Sequence, residues 1–160
     1  MRRWILYALV MGLVLFVSPV EKTDVGELKP VELLYIRYTD ENKVRIETDT
    51  GDLGVGETLE DALSDLKATA SGNIFLDTAD YLVIHRNAVT LLPKLWNILR
   101  PGTEVCIGEE GREETVDFLS AHKPGVTLND IRSGRQTLPV LKRTEERYRI
   151  EFESNYRPAE

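Results

Sequence analysis

Two histidines, one cysteine and a nearby pair of aspartates are the residues of this sequence whose types and placement could support chemistry. His85 follows Tyr81-Leu82-Val83-Ile84, an apolar run of the kind that forms a buried strand, and the ends of such strands are where functional groups stand in α/β proteins. Asp77 and Asp80 lie just upstream, in Asp77-Thr78-Ala79-Asp80. A carboxylate meeting the imidazole in one cleft would give a hydrolase its base and the group that orients it. The simpler reading makes His85 a polar residue closing a strand. Cys106, His85 and Asp80 can be combined on paper as nucleophile, base and orienting acid, but nothing in their spacing brings them together. Cys106 stands in Glu104-Val105-Cys106-Ile107, with Glu109 and Glu110 close behind. Acids disfavour a thiolate, so a buried apolar side chain is expected there.

Metal and phosphate chemistry find less support. Zinc needs three or four ligands, whereas His85 and His122 are 37 residues apart and there is a single cysteine. Asp77 and Asp80 could supply only part of the six or more oxygens that calcium takes. Gly51-x-x-Gly54-x-Gly56 precedes a helix start in the manner of a phosphate cradle. It lacks both the Gly-Lys-Ser/Thr of a triphosphate loop and the dinucleotide spacing, and Asp52 and Glu57 would repel an anion. A structural turn over 50–57 is the expectation. The 27 acidic residues offer too many carboxylate pairs for any one to indicate glycoside chemistry. The sequence therefore assigns no catalytic, cofactor-binding or metal-ligating residue.

The elements that would position these groups are clearer. Val31–Tyr38 and the alternating Val44–Thr48 flank the polar Asp40-Glu41-Asn42, which predicts a β-hairpin with one wet face. Thr58 caps a helix whose stripe is Leu59, Ala62, Leu63 and Leu66, with Asp61 completing a capping box. Ile74–Leu76 and Tyr81–Ile84 read as strands, the second central because four consecutive apolar residues imply burial on both faces. Ala88–Leu99 carries a helical stripe of Leu91, Leu92, Leu95, Trp96 and Leu99, so that Pro93 requires either a start near Leu92 or a kink. Trp96 belongs to that stripe and reads as core. One face of the hairpin, with Tyr35 and Tyr38, or the helix from Leu91 could instead dock a partner. Glu104–Ile107 is a further strand and Glu113–His122 a further helix. Thr127 caps a short turn through Leu128 and Ile131, Thr137–Leu141 has a modest apolar signal, and Tyr148–Phe152 alternates like an edge strand. The expected fold is α/β (α+β), a small mixed sheet with a β-hairpin and three helices packed on it, preceded by one N-terminal apolar helix.

That N-terminal segment sets the expected location. Arg2 and Arg3 precede Trp4–Val17, fourteen residues without a charge, and Trp4–Val20 makes seventeen. Seventeen is the lower limit for a spanning helix, with the arginines held on the cytoplasmic side. Bulky residues and Pro19 at the junction oppose cleavage, so an uncleaved anchor over 1–20 is preferred to a cleaved signal or a buried or peripheral helix. A linker over 21–30, one domain over 31–153 and a flexible tail over 154–160 complete the expected organisation. Localisation follows: a single pass through the cell membrane with the domain outside, or a secreted domain if the segment is cleaved. The net charge of −7 becomes −9 when Arg2 and Arg3 are set aside, leaving 18 basic against 27 acidic residues. No basic block can neutralise a row of phosphates, which excludes nucleic acid as a partner.

Four stretches carry a family likeness: Gly56-Glu57-Thr58-Leu59-Glu60-Asp61-Ala62-Leu63-Ser64-Asp65-Leu66, then Tyr81–Ile84, then Leu95-Trp96-Asn97-Ile98-Leu99-Arg100, then Glu104–Ile107. Through them the segment 54–107 resembles the N-terminal domain of the Ger(x)C family, the C subunit of bacterial spore germinant receptors. Members of that family are lipoproteins more than twice as long, and this chain lacks their lipid-modified cysteine. The resemblance implies a shortened relative of one domain, tethered by a helix and acting non-enzymatically in a membrane complex, with no catalytic residue to carry over. The leading expectation is thus a membrane-tethered extracytoplasmic binding or assembly domain, related to sporulation or germination. Its partner would be an envelope or membrane protein, with no cofactor and no assigned oligomeric state. The alternative is an extracytoplasmic hydrolase of cell-wall or peptide substrates using His85 with Asp77 or Asp80. A small-ligand sensor on the same scaffold would carry a concave pocket.

Overall fold

The computed structural model describes residues 28–109, 113–144 and 147–152. The expected anchor over 1–20 and tail over 154–160 lie outside the described residues. A seven-stranded mixed sheet runs in the order β4-β3-β2-β6-β7-β8-β9. Its strands are β2 (Leu33–Tyr38), β3 (Val44–Thr48), β4 (Leu53–Gly56), β6 (Tyr81–Ile84), β7 (Glu104–Ile107), β8 (Pro139–Thr144) and β9 (Arg147–Phe152). A separate parallel pair joins β1 (Leu28–Pro30) to β5 (Asn73–Phe75). The linker expected over 21–30 is therefore shorter at its C-terminal end, because Leu28–Pro30 pair with another strand.

The middle of the sheet is parallel. Leu33, Leu34, Tyr35 and Ile36 face Tyr81, Leu82, Val83 and Ile84 in register, and Tyr81–Ile84 in turn face Glu104–Ile107. Strand β6 is the fourth of seven, and all four of its residues are buried. Because side chains alternate across a strand, the register sorts the core into two clusters. Leu34, Ile36, Leu82, Ile84, Val105 and Ile107 lie on one face, and Leu33, Tyr35, Tyr81, Val83 and Cys106 on the other. The expected hairpin is β2–β3, antiparallel from Leu34↔Thr48 to Tyr38↔Val44, and β9 closes the opposite edge antiparallel to β8.

The helices are α1 (Leu59–Thr69), α2 (Leu92–Leu95), α3 (Glu113–Ala121) and α4 (Leu128–Arg132). Both expected caps form boxes: Thr58 with Asp61 on α1, and Thr127 with Asp130 on α4. The helix expected over Ala88–Leu99 is mostly something else. Arg86–Leu91 is a 3₁₀ helix and the α-helical part is only Leu92–Leu95, with Pro93 in its first turn. Proline has no N–H to give the preceding turn, so the chain stays tightly wound before it and becomes α-helical only where that N–H is not needed. The apolar positions face the core all the same: Ala88, Val89, Leu91, Leu92, Leu95 and Leu99 are buried.

The glycine-rich stretch departs furthest from expectation. Leu53–Gly56 is strand β4, paired to β3 with Ile46 opposite Gly54 and Val44 opposite Gly56. Its glycines serve close packing: a Cβ on Gly54 would overlap the Ala62 carbonyl oxygen and come within 2.6 Å of the Leu66 Cβ. One on Gly56 would meet the Asp61 Cβ at 2.5 Å. Helix α1 thus rests directly on the β4 backbone, which only glycine permits. Gly51 alone has the turn conformation, with φ +81 between β3 and β4.

Gly54→Ala should therefore lower stability by about 1–3 kcal/mol through overpacking. Gly102→Ala, with no atom near the added methyl group, should stay within about 0.5 kcal/mol of wild type. Denaturant unfolding of the two variants decides it, and equal midpoints would refute direct packing of α1 on β4.

Candidate functional site

The parallel strands β2, β6 and β7 share one C-terminal edge, and the polar groups at that edge are held firmly. The ladder continues one residue past β6, where the His85 N–H donates to the Ile36 carbonyl at 2.8 Å. The Gly108 N–H donates to the Ile84 carbonyl at 3.1 Å. His85 also sits at the N-cap of the 3₁₀ helix. Its ring is fixed by Asn87, whose side-chain amide is itself fixed by the backbone of Tyr38. The Tyr38 N–H donates to Asn87 Oδ1 at 3.2 Å, and Asn87 Nδ2 donates to the Tyr38 carbonyl at 3.1 Å.

The Nδ1 edge of the ring is held by the same residue, 2.7 Å from Asn87 Oδ1 and 3.2 Å from the Asn87 backbone N–H.

Around this histidine lies a cleft of ≈ 400 Å³. His85 and Arg86 reach it from the end of β6, Gly108 and Glu109 from the end of β7, and Arg143 and Tyr148 from the β8–β9 hairpin. The floor is apolar and includes Ile107 and Val140, which pair across β7 and β8. Tyr35, buried under the sheet, donates its hydroxyl to the Glu109 carbonyl at 2.5 Å and ties down the loop after β7.

The cleft lies where the chain leaves neighbouring strands in opposite directions. The 3₁₀ helix and α2, which follow β6, pack on one face through Val89, Leu92 and Leu95. Helix α3, which follows β7, packs on the other through Val116 and Leu119. The strand order runs on in one direction through β2, β6, β7 and β8, so the crevice comes from these opposite exits and lies outside the carboxyl ends of the strands, where open α/β sheets bind their ligands.

The other candidates fall elsewhere. Asp80 precedes the first residue of β6 and Asp77 sits in the 3₁₀ turn Leu76–Thr78. Five steps of extended chain separate Asp80 from His85, about 16 Å at the rise of a strand, so the hydrolase pairing is not assembled. The Asp80 carboxylate is engaged by the Arg100 guanidinium. Among the described residues no group of three or more His, Cys, Asp and Glu is placed to hold a metal ion. His122 stacks on Phe118 with ring centroids 4.6 Å apart and is exposed. Trp96 is half-buried against the core, with the Arg132 guanidinium 5.7 Å from its ring centre.

Cys106 is buried on the α3 face of the sheet. Burial, and then the Glu104 carboxylate, push its thiol up to about 12. The paper triad of Cys106, His85 and Asp80 is likewise not assembled. The contribution of β8 and β9 to the cleft escaped the sequence because their apolar signal is thin. The modest apolar run at Thr137–Leu141 and the alternation at Tyr148–Phe152 are the signs of it.

The chain matches no family model, no curated protein and no solved structure. The site therefore rests on its geometry.

Cys106 should resist a maleimide at pH 8 in the native protein and react once the chain is unfolded, followed by mass shift. Stoichiometric labelling of native protein within minutes would refute its burial. The unfolded thiol ionises near about 8.5 and the folded one near about 12. The contribution of Cys106 to stability is thus complete below the first value and is lost as pH rises toward the second.

Proposed function

We propose that this chain is a membrane-tethered extracytoplasmic binding domain whose ligand site is the cleft at the C-terminal edge of β6 and β7. The observation that carries the reading is the position of that cleft outside the carboxyl ends of the parallel strands, with walls drawn from four strands. Binding without turnover is supported by the wide separation of His85 from Asp77 and Asp80, and by a cysteine with its thiol held protonated. The single well-oriented ring at His85 makes a recognition group; a base acting alone at a strand end has no companion acid or nucleophile to work with.

The tether is residues 4–20, led by Arg2 and Arg3. Its hydrocarbon surface favours lipid, and the two guanidinium groups favour the cytoplasmic side. Among the described residues no helix is long and apolar enough to cross a membrane, so this segment is what the proposed anchoring depends on. The likeness of residues 54–107 to the Ger(x)C domain supports an accessory role beside an envelope or membrane protein, in a germination or sporulation setting.

The full chain should sediment with membranes and resist alkaline carbonate extraction. Protease added from outside the cytoplasmic membrane should remove the folded domain. Leu9→Arg together with Leu13→Arg should release the protein, since each arginine costs about 2.5–3.5 kcal/mol at the centre of a span. Recovery of the wild-type chain from the cytosol as a dissolved protein would end the tethered reading.

A further inference from the structure

The charge around the cleft differs from that of the protein as a whole. The chain carries −7, yet among the described residues the cleft is lined by Arg86, Lys142 and Arg143 against a single carboxylate, Glu109. Lys142 is paired with Glu151 at 2.6 Å, and the Arg143 guanidinium lies 5.6 Å from the centre of the Tyr148 ring. All three basic side chains make contacts within the protein, so an arriving anion shares them with partners they already have. Among the described residues the excess is nonetheless basic, and it lies over an apolar floor that lowers the local dielectric and strengthens the attraction.

A second concavity, ≈ 410 Å³ beside the β2–β3 hairpin, also has basic residues. There the lining is closer to balance, with Arg37, Lys43 and Arg45 against two acids, and Lys43 pairs with Glu41 at 2.8 Å and Arg45 with Glu47 at 2.6 Å. Asp40 and Glu41 line it as well. No strand ends converge on it. Among the described residues the cleft at the carboxyl ends of β6 and β7 has the larger excess of one sign.

We propose, on the reading that this cleft binds a small ligand, that it takes a molecule bearing an oxyanion, a carboxylate or a phosphate, received by Arg86 and Arg143. Guanidinium groups suit this role because their planar fork meets two oxygens at once. Arg86 leaves the end of β6 and Arg143 stands on β8, so the two approach the cleft from different strands. The Tyr148 side chain, packed on Phe118 of α3 with ring centres 5.3 Å apart, forms part of the wall. Glu109 limits the site to small anions of low charge, since a second carboxylate nearby would face repulsion.

The full chain in non-ionic detergent, labelled with ¹⁵N, is titrated at constant ionic strength with inorganic phosphate, with acetate and with glycerol as a neutral probe. Saturable amide shifts at Arg86, Gly108, Glu109 and Tyr148 with phosphate or acetate are the expected result, and the stronger of the two arms identifies the oxyanion. Arg86→Gln and Arg143→Gln should each weaken that binding about tenfold, while Lys94→Gln, outside the cleft, should not change it. Both arginines are exposed, so their variants should keep the wild-type spectrum elsewhere. Shifts with glycerol but with neither anion would overturn the oxyanion while leaving the binding cleft in place. Shifts with no probe, in a protein whose spectrum is folded, would overturn the cleft as well. Shifts spread over surface lysines and reproduced by chloride would also count against the proposal.

Discussion

Burial of β6 on both faces is the constraint from which the rest of the structure follows. Tyr81, Leu82, Val83 and Ile84 are all withdrawn from water, and a strand of this composition is stable only inside a sheet covered on two sides. Parallel neighbours then require long crossovers that bring helices over the sheet. The connection after β6 covers one face with Val89, Leu92 and Leu95, and α3 after β7 covers the other with Val116 and Leu119. Two exits in opposite directions leave a gap above the strand ends. The cleft is thus a consequence of covering both faces with a short chain.

Much of this was legible in the residues. Four consecutive apolar side chains identified β6 as central, and alternation identified β3 as half-wet. Thr58 and Thr127 announced their helices because a side-chain oxygen three residues ahead of an acid satisfies the first free N–H groups. These signals are local, and local chemistry fixes them. The misreadings were of residues whose roles depend on distant contacts. Gly54 and Gly56 carry no side chain to betray a strand, and they are glycine because helix α1 presses against their backbone, through Ala62 and Leu66 at Gly54 and through Asp61 and Ala62 at Gly56. Around Leu92 the stripe was read correctly and the helix type was not, because burial requires only that leucines face inward and is satisfied by a tight 3₁₀ winding before Pro93.

The candidate site was half legible. His85 could be seen to follow a buried strand, and that position is correct. That Asp80 and His85 stand at opposite ends of a four-residue strand was already implied by reading Tyr81–Ile84 as extended, and the hydrolase pairing overlooked it. Arg86, Arg143 and Tyr148 come together only through the parallel contact of Ile107 with Val140, a long-range pairing between two weakly apolar segments. No local pattern encodes that contact.

The two ends of β6 show why chemistry belongs at one and structure at the other. At its N-terminal end the polar groups pair with groups of the fold. The Asp80 and Tyr81 N–H groups both donate to the Glu32 carbonyl, Asp80 pairs with Arg100, and the buried Thr103 hydroxyl donates to the Ala79 carbonyl at 2.9 Å. Segment 126–128 also folds across this end, where the Val105 N–H donates to the Val126 carbonyl at 2.9 Å and the Leu128 N–H to the Thr103 carbonyl. The C-terminal end receives no such crossing segment among the described residues. There the backbone is satisfied by the neighbouring strands, while the side chains of His85, Arg86 and Glu109 border an open space. Asn87 orients the imidazole from its Nδ1 edge without covering it. A group held in orientation and left uncovered contributes little to stability that a simpler residue could not supply, and this is the physical ground for the binding role proposed for the cleft.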